Sequence, residues 1–265
     1  MKHQIKLANG LEGVLFIPAS GAGSAAVIIL HERYGLVQHT LDLAQKLADD
    51  GYVAFAPNLF SQWDGDQAAL TAGKVRVIMP DAECTRVVGL AIDLLRDDAR
   101  TKTKQIFLMG VCQSGRYPIV VASQRSDISA CVVFYGATQQ RDWNASELQL
   151  VAMPDMIAKL IVPSLFVFGE ADHTISLDNV RRMRDALETH RKSYRMHVLA
   201  DAPHGFMNDT MPGRYRPRDT EVGWNMLLTF MREVSGGQWL AKRVHWEFSC
   251  NAGGDYDFSN NVRLE

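Results

Sequence analysis

The sequence contains few cysteines, and their spacing does not match that of a metal site. The four cysteines, Cys84, Cys112, Cys131 and Cys250, form no CxxC pair and no Cys/His cluster. Zinc sites and disulfide frameworks both depend on closely patterned cysteines, so we expect neither here. Free thiols persist in a reducing compartment, which favours a cytoplasmic protein.

Long apolar runs and an excess of positive charge are also missing. No stretch approaches the roughly 18 to 20 apolar residues of a membrane-spanning helix, and residues 1–8 lack the apolar core of a secretion signal. Lysine and arginine number 28 against 30 aspartate and glutamate residues, a formal net charge of -2. This balance argues against nucleic acid and membrane surfaces as partners and favours a small-molecule substrate.

Apolar, strand-like segments alternate with helical patterns along most of the chain. The alternation predicts an α/β fold with a mostly parallel central sheet and helices on both faces. Because 47% of the 265 residues are hydrophobic, the chain can build one large core, and we predict a single domain over 1–235. Strands are predicted near 11–17, 26–30, 52–56, 105–109, 130–135, 164–168 and 194–199, and helices near 38–50, 82–99, 115–124, 176–190 and 219–234.

Residues 236–265 have a different pattern from the rest of the chain. Gly236 and Gly237 break the preceding helix, and five aromatic residues follow between 239 and 258. Aromatic residues are scarce in disordered segments. We therefore predict an extension that packs on its own domain or on a partner subunit, in a monomer or a homodimer.

The segment FLMGVCQSGR, residues 107–116, predicts a turn that carries a nucleophile. In a nucleophile elbow, the residues two before and two after the nucleophile must be small, because strand and helix backbones approach closely. Gly110 and Ser114 meet this requirement around Cys112, whereas an elbow centred on Ser114 would need Arg116 to be small. An inert, buried cysteine is the ordinary alternative. We interpret Cys112 as the nucleophile.

A carboxylate follows the apolar segment 165–169 at Asp172. The carboxyl ends of parallel strands are where such folds build their sites. Glu170 and Asp178 compete for the same role, but Asp178 suits the first turn of the next helix. We expect Asp172 to be the acid, with an ordinary turn aspartate as the alternative.

His204 lies between Pro203 and Gly205, after the strand-like segment 194–199. A histidine on this loop can direct one ring nitrogen to the thiol and the other to Asp172. The resulting order along the chain, nucleophile, acid and histidine, is that of α/β-hydrolases.

The strand-like segment 26–30 ends in the loop HERYG, residues 31–35. An oxyanion hole in this fold combines the backbone N–H after the nucleophile, here Gln113, with one from this loop, which we assign to Arg33. Glu32 and Arg33 at the mouth of the site are candidates for a functional role, and a solvated charge pair is the alternative.

Taken together, these motifs resemble the dienelactone hydrolase family over residues 11–232. The resemblance implies an α/β-hydrolase with a Cys-His-Asp triad of Cys112, His204 and Asp172, acting on lactones or related esters without a metal or organic cofactor. It also implies an auxiliary role for Glu32, since the matching glutamate of the family interacts with the thiol and helps to ionise it. The matching blocks are HERYGL, GYVAFAPNLF, GVCQSG, FGEADHTIS and APHGFMNDT.

The sequence departs from typical family members at two positions. Ser114 occupies the first position of a pair that is typically Gly-Gly, and serine is small enough to keep the elbow. Asn208 stands four residues after the histidine, where the family typically carries an arginine that holds the substrate carboxylate. Arg214, Arg216 and Arg218 follow closely and are candidates to replace it.

Tyr34, Trp63, Trp143 and Asn208 are the candidates for substrate contacts. The segments 61–80 and 138–160 interrupt the strand–helix alternation, and they either wall the site or pack peripherally over the helices. The predicted function is a cysteine hydrolase that opens a lactone or cleaves a small ester through a thioester intermediate. The alternatives are a broader carboxylesterase or thioesterase on the same fold and a catalytically silent binding protein.

Overall fold

The computed structural model describes residues 1–21, 23–99, 101, 105–239 and 242–264. Within these ranges no helix is both long and apolar enough to cross a membrane. The strands are β1 (Lys2–Lys6), β2 (Glu12–Phe16), β3 (Ala26–Leu30), β4 (Val53–Pro57), β5 (Ile106–Val111), β6 (Ala130–Phe134), β7 (Ser164–Ala171), β8 (Tyr194–Pro203) and β9 (Trp246–Cys250). The α-helices are α1 (Gln38–Asp49), α2 (Gln67–Thr71), α3 (Asp81–Asp97), α4 (Tyr117–Ala122), α5 (Met153–Lys159), α6 (Leu177–Thr189) and α7 (Pro217–Ser235).

All of these strands belong to one sheet of order β1-β2-β4-β3-β5-β6-β7-β8-β9. Strand β2 pairs antiparallel with both of its neighbours, β1 and β4. The strands from β3 to β9 all run parallel to one another. Along β3, Ile28 faces the core layer under α3 to α6, whereas Val27 and Ile29 face the layer under α1 and α7. The predicted α/β fold with a mostly parallel sheet and helices on both faces is confirmed.

The two edge strands were not predicted from the sequence. Strand β1 reads KHQIK and is largely exposed, and β9 reads WEFSC with little burial. Edge strands need no two-sided apolar pattern, so β1 carries little signal, and β9 shows only a short alternation of apolar and polar residues. The extension beyond residue 235 thus adds a strand to the sheet.

Two further elements differ from the sequence prediction. The helix expected over 115–124 starts as a 3-10 helix, Cys112–Arg116, before α4 begins. The segments 61–80 and 138–160, which interrupt the predicted alternation, contain α2 and α5, and both helices are too short to show an apolar periodicity.

The strand register brings the candidate site together at the carboxyl edge of the sheet. Strands β7 and β8 end at the paired residues Ala171 and Pro203. The residues that follow them, Asp172 and His204, are therefore neighbours. In the same way β3 pairs with β5 up to Leu30 and Gly110, which sets residues 31–32 beside the elbow.

Candidate active site

Cys112 occupies a strained turn between β5 and α4. Its φ is +55°, in the left-handed region that costs a non-glycine residue on the order of 1–3 kcal/mol. The chain approaches itself closely here, since a Cβ added to Gly110 would lie 2.4 Å from the carbonyl oxygen of Ser114. The backbone therefore has the geometry of a nucleophile elbow, with its sulfur at the carboxyl edge of the sheet.

Ser114 contributes more than small size to this turn. Its Oγ donates to the carbonyl oxygen of Leu30 at 2.7 Å and accepts from the backbone N–H of Val111 at 3.1 Å. The hydroxyl thus ties the elbow to the end of β3. A glycine could not make this connection, so the departure from Gly-Gly adds a link between two loops of the site.

Three side chains form a continuous line of hydrogen bonds. The Nε2 of His204 lies 3.1 Å from the Sγ of Cys112, and its Nδ1 lies 2.8 Å from Oδ2 of Asp172. The other carboxylate oxygen of Asp172 accepts from the backbone N–H groups of Thr174 and Ile175 at 2.7 and 3.0 Å. Asp172 is fully buried, so this carboxylate fixes the imidazole from behind.

The surroundings of His204 favour its charged form. Burial by itself lowers the pKa of His204, but the charges of Asp172 and the Cys112 thiolate, with hydrogen bonds to both, raise that pKa well above its usual value. An imidazolium beside the sulfur stabilises a thiolate, which is the nucleophilic form of cysteine. The arrangement can therefore hold an ion pair that is ready to attack a carbonyl carbon.

Two aromatic rings hold the imidazole in place. Tyr135, just beyond β6, and His173 both pack edge-on against His204, with ring centroids 5.4 and 5.5 Å away. Burial lowers the pKa of His173, and the charge of His204 lowers it further, so His173 favours its neutral form. The sequence motif alone assigned neither ring a role, because their contact with His204 arises only where adjacent strands end.

Glu32 is buried beside the elbow and is paired with Asn208. Its Oε2 accepts from Nδ2 of Asn208 at 2.7 Å, and the Oδ1 of Asn208 accepts from the backbone N–H and hydroxyl of Thr210. Both polar ends of Asn208 are thus engaged away from the cleft. In this arrangement the short amide of Asn208 reaches the buried glutamate, and its contact with substrate stays a prediction.

His31 shapes the same loop. One of its ring nitrogens, Nδ1, lies 2.7 Å from the carbonyl oxygen of Glu32, and the other, Nε2, lies 3.0 Å from the backbone N–H of Leu59. These partners require a proton on Nδ1 and a lone pair on Nε2, which is the neutral imidazole. Burial lowers the pKa of His31 to about 4, in agreement with that form.

A cavity of about 250 Å³ opens over the Cys112 sulfur and His204. This is just below the range of roughly 300–1,000 Å³ that is usual for small-molecule sites, so a small substrate is favoured. Its described lining contains four arginines and no carboxylate. The lining residues are Arg33, Tyr34, Arg76, Cys112, Gln139, His173, Thr174, His204, Arg214 and Arg263.

Of the expected substrate contacts, Tyr34 lines this cavity and both tryptophans lie elsewhere. Trp143 is buried in the core under the guanidinium of Arg182, which is 4.3 Å from its ring. Trp63 is half-buried and packs against the same core layer. The segments that carry them still reach the cleft through other residues, Arg76 and Gln139. Large apolar side chains commonly fill the core, and this is where Trp143 lies.

Two of the cavity arginines come from segments close to the predicted oxyanion donors. The guanidinium of Arg33 donates to the carbonyl oxygen of Gly73 at 2.7 Å. Arg76 donates from Nε to the side-chain oxygen of Gln113 at 2.7 Å. Burial lowers the pKa of Arg76, and the nearby charges of Arg141 and Arg33 lower it further. Such mutual repulsion is relieved when an anion binds between the guanidiniums.

The other two arginines come from later in the chain. Arg214 is buried in the loop after His204, and its Nε donates to the carbonyl oxygen of Leu264 at 2.5 Å. Arg263 is exposed at the mouth of the cavity. Arg214 was a sequence candidate to replace the missing arginine, whereas Arg76 and Arg263 carried no motif.

Comparison with known proteins places the chain in a family. A sequence model of the dienelactone hydrolase family matches residues 11–235. A carboxymethylenebutenolidase-like protein of Methylorubrum extorquens is 28% identical over 222 residues, covering 82% of this chain and 75% of the relative. One of Escherichia coli K12 is 28% identical over 219 residues, covering 79% and 77%.

The fold has a matching solved structure. The crystal structure of a dienelactone hydrolase-like protein of Klebsiella pneumoniae aligns with a TM-score of 0.74 at 23% identity, covering 88% of this chain and 98% of that one. Since the family match spans most of the sequence, the chain belongs to the dienelactone hydrolase family and is a hydrolase of carboxylic ester or lactone bonds.

Proposed function

We propose that this protein is a cysteine hydrolase that opens a small lactone carrying a carboxylate, with Cys112, His204 and Asp172 as its catalytic triad. The observation that carries the proposal is the line of hydrogen bonds from Asp172 through His204 to the Cys112 sulfur, 2.8 and 3.1 Å long. Its position at the base of the cationic cavity supports the same conclusion.

In the first half of the reaction, the Cys112 thiolate attacks the lactone carbonyl carbon. The carbonyl π electrons move to oxygen, and the backbone N–H groups of Gln113 and Arg33 are the proposed donors to this oxyanion. As the tetrahedral intermediate collapses, the ring C–O bond breaks and the leaving oxygen takes the proton from His204 Nε2. The product is a thioester whose former ring oxygen stays attached to the acyl chain.

In the second half, His204 acts as a general base toward water. Its Nε2 removes a proton while the water oxygen attacks the thioester carbon, and Asp172 stabilises the imidazolium that forms. Collapse releases a carboxylic acid and returns the Cys112 sulfur as a thiolate. Glu32, buried beside the elbow, is proposed as an auxiliary group that favours ionisation of the thiol.

The charge of the cavity supports an anionic substrate. Its described lining residues include four arginines and no carboxylate, although the whole chain has a net charge of -2. The name carboxymethylenebutenolidase, borne by the relatives, denotes a lactone with a carboxymethylene group. Without an arginine at 208, this chain would hold such a carboxylate with arginines from other segments.

The proposal is tested by turnover of cis- and trans-dienelactone and of p-nitrophenyl acetate by the wild type and Cys112→Ala. We expect the wild type to hydrolyse at least one dienelactone, and the alanine variant to lose at least about a thousandfold in kcat because it lacks the nucleophile. Cys250→Ala is the matched control, since this half-buried thiol lies on β9.

Each alternative function predicts a different result. Hydrolysis of the plain ester alone, lost in Cys112→Ala, would indicate the broader esterase with the same nucleophile. Equal activity of wild type and Cys112→Ala would contradict the cysteine mechanism. If the protein binds one of these compounds but hydrolyses none of them, the catalytically silent binding protein would be favoured.

A further inference from the structure

The chain continues past the family match and returns to the candidate site. After α7, which ends at Ser235, strand β9 pairs parallel to β8 and directs the following residues to the carboxyl edge of the sheet. Residues 251–264, which we call the strap, then pass over the ends of β8 and β7. The family model covers residues 11–235, so the strap is an addition to the matched domain.

Side-chain hydrogen bonds fix the strap to the loop that carries the acid. The Nδ2 of Asn261 donates to the carbonyl oxygen of Asp172 at 2.8 Å and lies 3.3 Å from that of Glu170. The Glu170 carboxylate accepts from the backbone N–H of Gly253 at 2.6 Å. The strap is therefore attached near both of its ends to Glu170 and Asp172.

A third attachment reaches the loop that follows the histidine. The carbonyl oxygen of Leu264 accepts from Nε of the buried Arg214. Between this attachment and Asn261, the strap places Arg263 at the cavity that also contains Cys112 and His204. Three hydrogen-bonded attachments on two catalytic loops distinguish this segment from a loosely associated tail.

We infer that the strap is a working part of the active site, in which Arg263 binds the carboxylate of the substrate and Asn261 holds Arg263 in position. The inference rests on the proposed function, because it assigns the anion specificity of that same site. Arg263 extends the cationic lining formed by Arg33, Arg76 and Arg214 to the mouth of the cavity. It is the fourth guanidinium among the described lining residues, and it comes from outside the matched domain.

The chemistry of the lining supports a specificity role for Arg263. A guanidinium recognises a carboxylate through paired N–H donors, and Lys at the same position would supply only a point charge. Because Arg263 is exposed, its contribution is that of a partly solvated ion pair and weakens as salt is added.

The test uses two p-nitrophenyl esters with the same leaving group: p-nitrophenyl hydrogen succinate, which is anionic, and p-nitrophenyl butyrate, which is neutral. The quantity measured is the ratio of kcat/KM for the succinate to that for the butyrate. We expect Arg263→Gln to lower this ratio about fivefold at low salt, mainly through KM for the succinate. Arg263→Lys should recover part of the loss.

Two further variants distinguish recognition from a general structural effect. Asn261→Ala should lower the same ratio, since it releases the attachment that positions Arg263. Arg243→Gln is the matched control, because this exposed arginine lies on the same extension but does not line the cavity. Its ratio should equal that of the wild type.

The inference is overturned if Arg263→Gln keeps the wild-type ratio, or if Arg243→Gln lowers it equally. Failure of the proposed function has a separate signature, which is ester hydrolysis that survives in Cys112→Ala. A readout without turnover is also available: in the Cys112→Ala background, the dissociation constant for cis-dienelactone measured by calorimetry should rise about fivefold on adding Arg263→Gln.

Discussion

The candidate site has an inner wall and an outer wall, which differ in hydrogen bonding and in charge. The inner wall is buried, and each of its polar side chains is hydrogen-bonded to another protein group. It comprises Cys112, His204, Asp172, Glu32 and Asn208, which are between 0% and 8% exposed. Because electrostatic interactions are strong where water is excluded, this wall can set the protonation states that the chemistry needs.

The outer wall carries charge of a single sign, and its side chains range from the buried Arg214 to the exposed Arg76 and Arg263. It comprises Arg33, Arg76, Arg214 and Arg263. Backbone carbonyls accept from Arg33 and Arg214, and the side-chain oxygen of Gln113 accepts from Arg76. The described residues of the cavity lining include no carboxylate. Under the proposed function, the inner wall would carry out bond breaking, whereas the outer wall would select the molecules that are positioned for it.

The largest effect should follow from Asp172→Asn on the inner wall. An amide cannot stabilise the His204 imidazolium and favours the wrong tautomer, so kcat should fall by about 10³ to 10⁴. The loss should be equal for anionic and neutral esters, which steady-state kinetics with the succinate and butyrate esters will measure. A loss confined to the succinate ester would contradict the division between the walls.

A second test measures how the stability of the protein depends on pH through His31, which lies behind the inner wall. Its folded-state pKa of about 4 lies below the ordinary value near 6.5, so the unfolded chain binds the proton more readily. The contribution of His31 to stability is present above pH 6.5 and is lost as the pH falls toward 4. Between pH 7.5 and 4.5 the loss should be about 2 to 3 kcal/mol.

Urea unfolding at these two pH values measures the effect of His31. The wild type should lose more stability on acidification than His31→Asn by that amount, because the variant has no imidazole to protonate. An equal loss in both proteins would show that acid acts through other groups.

A smaller effect is expected from Asn208→Ala, which removes the hydrogen bond from the buried Glu32. Leaving a buried acceptor unsatisfied costs about 1 to 3 kcal/mol, so the free energy of unfolding should fall by that amount. Asn144→Ala, at an exposed site, is the matched control. If Asn208 instead belonged to the outer wall, stability would be unchanged and only KM for the succinate ester would rise.

The smallest effect should follow from Arg76→Gln on the outer wall. The kcat/KM ratio of succinate to butyrate ester should fall about fivefold, since one partly solvated guanidinium is lost. Arg181→Gln, on the exposed face of α6, should leave the ratio unchanged. An equal fall in kcat/KM for both esters would indicate that Arg76 acts in the chemical step rather than in recognition of the substrate carboxylate.

Much of the inner wall follows from local sequence. Apolar strands that end in GVCQSG, GEADH and APHG predict an elbow, an acid loop and a histidine loop, and the parallel sheet brings such loops to one edge. The central strands were also predictable, because a buried strand needs a continuous apolar run. These signals are contained in short segments, and so they can be read without knowing the fold.

The outer wall was decided by tertiary structure. Its arginines come from four separate segments, one of them beyond the short edge strand β9. Whether Asn208 faces the cleft or Glu32, and whether Trp143 faces substrate or core, depends on side-chain direction and on neighbours distant in sequence. The sequence by itself thus determined the fold class and the candidate nucleophile, acid and histidine, while the charge and shape of the cleft arose only from long-range contacts that no local pattern encodes.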